Sequence, residues 1–167
     1  CSEASSEFIV TQDLIVTVGG LFNGVYYFDA GGFGYFRSIQ LSVAGNITNN
    51  GRIDLSQGSS YTPEGALNLN GTTVQTVSGS GTFGGTVYIQ DNTNTGTVIN
   101  QLLVNNTSTL TPNIIWEFNN IKIRSLIQLT QARVELGTNK ITIGNYGSAI
   151  TICETGNGLL SGKIGRW

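Results

Sequence analysis

The chain has 167 residues, of which 39% are hydrophobic and only 11% are charged, and its net charge is −2. It is long enough to bury a core of its own, and eight Lys and Arg residues exclude the dense basic surface that binds nucleic acid. No run of about 18 apolar residues occurs, so no membrane-spanning helix is predicted. The few charges, together with abundant Asn, Ser, Thr and 23 Gly, are typical of an exported protein.

Short runs in which apolar and polar residues alternate recur along the whole chain, and most are closed by Gly or Asn. A period of two is typical of strands that are buried on one face, so the chain is predicted to be all-β. Met is absent and β-branched residues are frequent, which also disfavours long helices. In chain order the predicted strands lie at residues 8–10, 14–18, 39–43, 52–56, 66–69, 74–77, 87–89, 98–99, 102–104, 114–118, 121–123, 126–129, 134–136, 141–143 and 150–152.

These strands are very short and repeat the same face pattern, with small residues at the turns between them. Such a pattern favours a parallel β-solenoid, with a β-sandwich as the alternative. No linker interrupts the pattern, so we predict one domain over residues 1–167, with residues 1–38 as an aromatic-rich N-terminal coil or cap. The Asn residues at the predicted corners allow two interpretations, namely ladders of stacked amides or tolerance of left-handed turn geometry.

Two segments break the alternation. Residues 57–65 are predicted to form a loop, and residues 21–36 hold seven of the fifteen aromatic side chains. One interpretation of these aromatics is a cap over the open end of a solenoid, and the other is a platform for glycan or an interface with a partner. The residues concerned are Phe22, Tyr26, Tyr27, Phe28, Phe33, Tyr35 and Phe36.

Five phrases follow one another along residues 43–167: VAGNITNNGRIDLS at 43–56, LNGTTVQTVSGSGTF at 69–83, LLVNN at 102–106, VELGTNKITIG at 134–144 and GKIGRW at 162–167. This ordered set resembles the exported β-helical repeat proteins of the Bacteroidota cell surface, over roughly residues 40–167. The resemblance implies a single-stranded right-handed parallel β-helix, outer-surface display and export by type IX secretion. It also implies adhesive or structural roles, without shared catalytic residues.

The residues that usually carry catalysis or bind metals are scarce. His is absent, two Cys cannot form a structural zinc site, and the glycine run at residues 79–85 lacks the Lys and helix of a phosphate loop. Asp54 and Glu117 alternate outward in their predicted strands and could stack on one face, but solvated charges are the favoured interpretation. We therefore expect no catalytic residues, no metal, no cofactor and no enzyme activity.

An aliphatic core is predicted from the inward positions of the strands. Trp116 shares a face with Ile114 and Phe118, so it is predicted to lie in that core. Cys1 and Cys153 are predicted not to pair within one chain, because some 30 Å of solenoid would separate them. The predicted core residues are Ile53, Leu55, Leu67, Leu69, Leu103, Ile121, Ile123, Val134, Leu136, Ile141 and Ile143.

The function predicted from these observations is that of a structural or adhesive module, secreted or on the cell surface. A carbohydrate-binding or polysaccharide-cleaving β-helix is the alternative. The expected partners are further copies of the chain, adjoining domains of a longer chain, or a surface glycan, and not nucleic acid. Cys1 followed by Ser also begins mature bacterial lipoproteins, so a lipid anchor at Cys1 is a further interpretation.

Charge is unevenly distributed along the chain. Residues 1–120 contain two bases and eight acids, a net charge of −6, whereas residues 121–167 contain six bases and two acids, a net charge of +4. In a solenoid, position in sequence becomes position along the axis, so one end is predicted to be acidic and the other basic. Head-to-tail stacking into a filament follows as a hypothesis, with Lys163 and Arg166 as end-contact residues.

Overall fold

A computed structural model describes residues 7–30, 33–55, 65–83, 98–118, 121–130, 132–143, 151–156 and 158–166. At residues 25–30, 33–38, 98, 100, 124, 151, 163, 165 and 166 it describes the backbone alone. Among all these residues there is no helix, and so none that is long and apolar enough to cross a membrane.

The described residues form seventeen short strands, and thirteen of their fourteen pairings are parallel. In chain order they are β1 (Glu7–Val10), β2 (Leu14–Val16), β3 (Leu21–Asn23), β4 (Val25–Ala30), β5 (Phe33–Ser38), β6 (Gln40–Val43), β7 (Ile47–Asn49), β8 (Arg52–Asp54), β9 (Ala66–Leu69), β10 (Gln75–Ser78), β11 (Thr82–Phe83), β12 (Val98–Val104), β13 (Ile114–Trp116), β14 (Ile121–Thr130), β15 (Arg133–Ile143), β16 (Thr151–Thr155) and β17 (Leu159–Arg166). The predicted all-β class is confirmed. A β-sandwich is built of antiparallel sheets, whereas among the described strands only β4 and β5 pair antiparallel.

Two long parallel ladders organise the strands. The first ladder runs β1–β6–β9–β12–β14–β16, and the second runs β2–β7–β10–β13–β15–β17. We call each stretch that contributes one strand to both ladders a rung. The six rungs cover residues 7–23, 40–54, 66–83, 101–123, 126–143 and 151–166.

A third set of pairings closes the rungs. Strand β8 pairs with β3 and β11. The start of β14, residues 121–123, pairs with the start of β12, residues 98–99, and with the end of β15, residues 141–143. The ends of β15 and β17 also pair at this position. Between one rung and the next, the chain passes from the second ladder back to the first, where it forms the adjacent strand.

The register of the first ladder stacks apolar residues into columns. One column contains, rung by rung, Phe8, Leu41, Leu67, Leu102, Ile127 and Ile152. A second column contains Val10, Val43, Leu69, Val104, Leu129 and Glu154. The four middle members of each column are fully buried, so burial of these columns is the main source of folding free energy along this side.

Most of the predicted core is confirmed. Nine of the eleven predicted residues are at most 1% exposed, and Ile143 is half-buried against the core. Leu103 is the exception, because Leu102 and Val104 on either side of it are fully buried while Leu103 is half-buried. Three apolar residues in a row carry no alternation, so the sequence does not reveal which of them point inward.

The second ladder contributes larger side chains to the same core. Trp116 is 1% exposed and its indole nitrogen donates a hydrogen bond to the carbonyl of Phe118 at 2.9 Å. The Phe118 ring packs edge-on against Phe83, with 4.8 Å between ring centroids. The prediction that Trp116, Ile114 and Phe118 lie in the core is confirmed.

Buried amide side chains join rungs at the corner between the two ladders. The Gln75 amide donates to the carbonyls of Val43 at 2.9 Å and Gly45 at 2.6 Å in the preceding rung. Its side-chain oxygen accepts from the amide of Asn106 in the following rung at 2.8 Å. Gln75 and Asn106 are each 1% exposed. One continuous set of hydrogen bonds thus holds three rungs together where an unpaired amide would be costly.

Other corner Asn residues follow the same rule. Asn46 accepts a hydrogen bond from the backbone amide of Thr76 in the next rung at 2.8 Å, and Asn49 donates to the carbonyl of Thr82 at 2.8 Å. Among the residues that the structure describes, Asn105 donates to a like amide, that of Asn68, at 3.1 Å. Stacking of like amides, the first of the two interpretations, is seen in this contact. The amides of Asn46 and Asn49 instead bind the backbone of an adjacent rung.

Six strands were not predicted from the sequence, namely β3, β4, β5, β7, β11 and β17. Of these, β4 (Val25–Ala30) and β5 (Phe33–Ser38) form an antiparallel pair, and β17 covers Leu159–Arg166. The aromatic and glycine-rich composition of the first segment and the three glycines in residues 158–165 obscure the period of two. Most of the loop predicted at residues 57–65, the strand predicted at 87–89, and Cys1 lie outside the described residues.

Candidate functional site

A surface groove runs along the outer face of the second ladder, beside the loop that connects β12 to β13. One of its cavities, of ≈ 240 Å³, is lined by Thr111, Pro112, Arg133, Val134, Glu135, Leu159 and Ser161. A second cavity, of ≈ 370 Å³, shares Pro112 and Glu135 with the first and adds Ile115, Trp116, Glu117, Leu136, Gly137, Thr138 and Asn139. The shared residues show that the two cavities adjoin.

The groove results from the register of three parallel strands. Ile115 of β13 lies opposite Glu135 of β15, and Glu135 lies opposite Ser161 of β17. Along β15, Val134 and Leu136 are buried while Arg133 and Glu135 are exposed, which is the alternation expected of a strand with one face in the core. The charged side chains of β15 therefore lie on the outer face, where the cavities are.

Two carboxylates line the second cavity. Glu117 follows β13 by one residue, so strand spacings of about 4.8 Å and rises of about 3.3 Å per residue place its Cα about 8 Å from that of Glu135. Glycoside hydrolysis uses a pair of carboxyl groups as acid and base, and carboxylate, guanidinium and hydroxyl groups hydrogen-bond to sugar hydroxyls. The groove thus combines two acids, Arg133 and the Ser161 hydroxyl above an apolar floor.

Asp54 and Glu117 do not stack on one face, so that prediction is wrong. Asp54 lies in β8 of the third set of pairings, whereas Glu117 follows β13 of the second ladder. Asp54 is also 3% exposed rather than solvated, and its carboxylate pairs with the Arg52 guanidinium at 2.5 Å. Ile53, Asp54 and Leu55 are all buried, so simple alternation fails at this corner.

The predicted aromatic cluster is divided between two elements. Phe22 belongs to β3, packs against the core, and contacts the Phe8 ring edge-on at 5.3 Å between centroids. The other six aromatics lie in the β4–β5 hairpin, where Tyr27 pairs with Phe36 and Phe28 with Tyr35. Their side chains lie outside what the structure describes, so the choice between cap and platform stays open for Tyr26, Tyr27, Phe28, Phe33, Tyr35 and Phe36.

The predicted end-contact residues Lys163 and Arg166 both lie in β17, the last strand of the second ladder. Their backbones pair with Lys140 and Ile143 of β15, and their side chains are not described. Among the described residues, no group of three or more His, Cys, Asp or Glu side chains is placed to hold a metal ion.

The groove residues were not predicted as a site. In the sequence, Glu117 and Glu135 appear as scattered acids separated by 18 residues. Only the pairing of β13 with β15, in which residues 20 positions apart become neighbours, brings them to one cavity. The sequence would have indicated that Glu117 and Glu135 are neighbours only if the number of residues in this rung had been known.

No family model matches the chain, and comparisons with curated proteins and with solved structures likewise return no match.

Proposed function

We propose that this chain is a parallel β-solenoid that serves as a structural or adhesive module outside the cell. The observation that carries the proposal is the register of the first ladder, in which six rungs place side chains in the same two columns. A solenoid produces this pattern because each turn of the chain repeats the one before it. The resemblance to exported Bacteroidota β-helices supports the same fold, a right-handed coil and surface display.

The use of polar side chains supports a structural role. Gln75, Asn106 and Asn113 are buried and bind backbone or amide groups of their own and adjacent rungs. Asn113, for example, accepts a hydrogen bond from the backbone amide of Arg133 in the next rung at 2.8 Å. Hydrogen bonds of this kind rigidify a repeat array and are not presented to a ligand.

The composition supports the location. The chain has few charges and many hydroxyl and amide residues, as exported surface proteins do. As partners we propose further copies of the chain, adjoining domains or a surface glycan, and as attachment a lipid at Cys1 or export without one. No catalytic residue or cofactor is part of this proposal.

A carbohydrate-binding or polysaccharide-cleaving role is the second candidate. The specific observation in its favour is that Glu117 and Glu135 line one cavity, with Arg133 in the cavity next to it. An extended glycan would lie along the outer face of the second ladder, across strands β13, β15 and β17.

Affinity electrophoresis through gels that contain neutral or acidic soluble polysaccharides tests the two roles, together with an assay for newly formed reducing ends. The double variant Glu117→Gln/Glu135→Gln removes both groove carboxylates. Glu7→Gln is the matched control, because Glu7 lies in rung 1 and a Gln oxygen can still accept its hydrogen bonds from Gln40 and Ser42.

For a structural or adhesive module we expect no reducing ends. Each variant is compared with itself in a gel without polysaccharide, because each Glu→Gln change alters the charge, and we expect the same relative mobility for the wild type and both variants. Retardation or cleavage that the double variant abolishes and Glu7→Gln retains would overturn the structural role in favour of the carbohydrate role.

A further inference from the structure

The third set of pairings forms a lateral wall of the protein, which in rungs 4 to 6 consists of residues 121–123, 140–143 and 163–166. We call these residues the third wall. Its eleven residues include four bases and no acid. A surface that carries charge of one sign favours a partner of the opposite sign. The bases are Lys122, Lys140, Lys163 and Arg166.

The alternation of side chains places a lysine on the outer face of this wall. Ile121, Ile123 and Ile141 are fully buried, whereas Lys140, which precedes Ile141, is exposed. Among the residues that the structure describes, Lys140 forms neither an ion pair nor a side-chain hydrogen bond. Its ammonium group is therefore available to a partner from outside the chain.

The register of β15 and β17 places two lysines side by side. Lys140 lies directly opposite Lys163, so their backbones are about 4.8 Å apart on the same face of the wall. From Glu135 to Lys140 β15 advances five residues, while β17 advances two from Ser161 to Lys163, so three additional residues in β15 set this register. Irregularities of this kind redirect side chains and are frequent beside functional sites.

This arrangement has a cost in the free protein. Like charges that lie opposite each other on adjacent strands repel and lower stability. An anion that binds both Lys140 and Lys163 removes the repulsion and gains two charge-assisted contacts. Lys122 lies opposite Thr142 on the same wall but interacts within the chain, so the site does not depend on it.

The position and composition of the wall select among anionic partners. Because the wall is lateral, further rungs or domains stacked along the axis would not cover it. Nucleic acid requires a denser basic surface, or aromatic side chains on which bases stack, and the eleven residues of the wall include no aromatic. An acidic polysaccharide requires neither, since its carboxylates and hydroxyls pair with ammonium and hydroxyl groups.

We propose that the third wall binds an extended acidic polysaccharide, whose carboxylates pair with Lys140 and Lys163. The polysaccharide lies across the strands, along the direction in which the rungs stack. The inference rests on the adhesive role proposed above, because it names the chemistry of the surface glycan that the module recognises.

Fluorescence anisotropy of labelled oligosaccharides of polygalacturonate, titrated with the full chain, tests the proposal. The methyl ester of the same oligosaccharides is the matched ligand control, because it keeps the sugar chain and removes its charge. We expect the wild type to bind the acid form, more weakly as sodium chloride is raised, and not to bind the ester. Since this comparison uses the wild type, it does not depend on how any variant folds.

Two double variants test the residues. Lys140→Gln/Lys163→Gln removes both charges, and we expect it to raise the Kd for the acid form about tenfold or more. Lys140→Arg/Lys163→Arg keeps both charges, and we expect its Kd to stay within about threefold of the wild-type value. Arg133→Gln removes one charge from the same strand, β15, but on the outer face of the second ladder, and it shows whether position matters or charge alone.

Four outcomes overturn the proposal: no binding by the wild type, equal binding of the methyl ester, a loss on Arg133→Gln as large as that of the lysine-to-glutamine variant, or equally tight binding of single-stranded DNA. A loss confined to Arg133→Gln would place the glycan in the groove instead.

The same titration separates this inference from the proposed function. Absence of binding by a wild type with the far-ultraviolet spectrum of a β protein overturns the site on the third wall and leaves the structural role intact. Release of reducing ends from polygalacturonate would overturn the structural or adhesive role itself.

Discussion

The columns of the first ladder allow one substitution to be compared at two places. Ile127 in rung 5 and Ile152 in rung 6 lie opposite each other in the same column. Ile127 is 0% exposed, and Ile152, with no rung beyond it among the described strands, is 42% exposed. The residue type, the strand environment and the column are the same, so the two sites differ mainly in burial.

We expect Ile127→Ala to lower the free energy of unfolding by about 3–4 kcal/mol. Three carbon atoms are removed, each worth about 0.8 kcal/mol when buried, and the enclosed column leaves a cavity that adds roughly 1 kcal/mol or more. For Ile152→Ala the same transfer energy is reduced in proportion to exposure and no closed cavity forms, so we expect about 1–1.5 kcal/mol.

Urea unfolding followed by far-ultraviolet circular dichroism measures both values, with the slope of free energy against urea as a check that each variant unfolds in the same cooperative step. A difference between the two variants of less than about 0.5 kcal/mol would refute the column arrangement. It would mean that the Ile127 and Ile152 side chains are equally buried, contrary to their exposures in the structure.

Three further expectations follow from the structure. Gln75→Leu should cost about 3 kcal/mol or more in the same urea assay, because the Gly71 backbone amide loses its acceptor and the Gly45 carbonyl and the Asn106 amide each lose a hydrogen bond; a cost below 1 kcal/mol would show that water replaces Gln75. Gly79→Ala should be far more destabilising than Gly19→Ala, since a Cβ at Gly79 would lie 2.1 Å from a backbone oxygen at φ +122°, while Gly19, at φ +78°, has nothing within 4 Å; equal losses would contradict the close approach of rungs at Gly79. Cys153 is free, so the intact mass of the non-reduced monomer should not change on reduction, and a gain of two hydrogens would reveal a bond to Cys1.

Eleven of the seventeen described strands and most of the core could be predicted from the sequence, because they depend on local alternation. Runs such as 66–69 and 134–136 place apolar residues at every second position, and these positions are buried. The prediction failed where alternation is absent, as at residues 102–104, or where a corner turns consecutive side chains inward, as at Asp54. At such positions the adjacent strand, and not the neighbouring residues in sequence, determines which side chains point into the core.

The buried amides illustrate the same limit. Asn residues mark the corners in the sequence, yet Gln75 and Asn106 contact each other only because rungs 3 and 4 stack with their corners aligned. The lengths of successive rungs differ, so no fixed spacing in sequence identifies such partners. Leu41 and Leu67 are 26 residues apart in one column, while Leu67 and Leu102 are 35 apart.

By itself the sequence determined the class of the protein: all-β, made of short strands, with an aliphatic core and few charges. These properties follow from side-chain volume, polarity and a period of two, which each segment carries independently of the rest. Tertiary structure alone decided the columns and the groove that holds Glu117 and Glu135. The physical reason is that parallel pairing joins residues 20 or more positions apart, and the loops that set those distances vary from rung to rung.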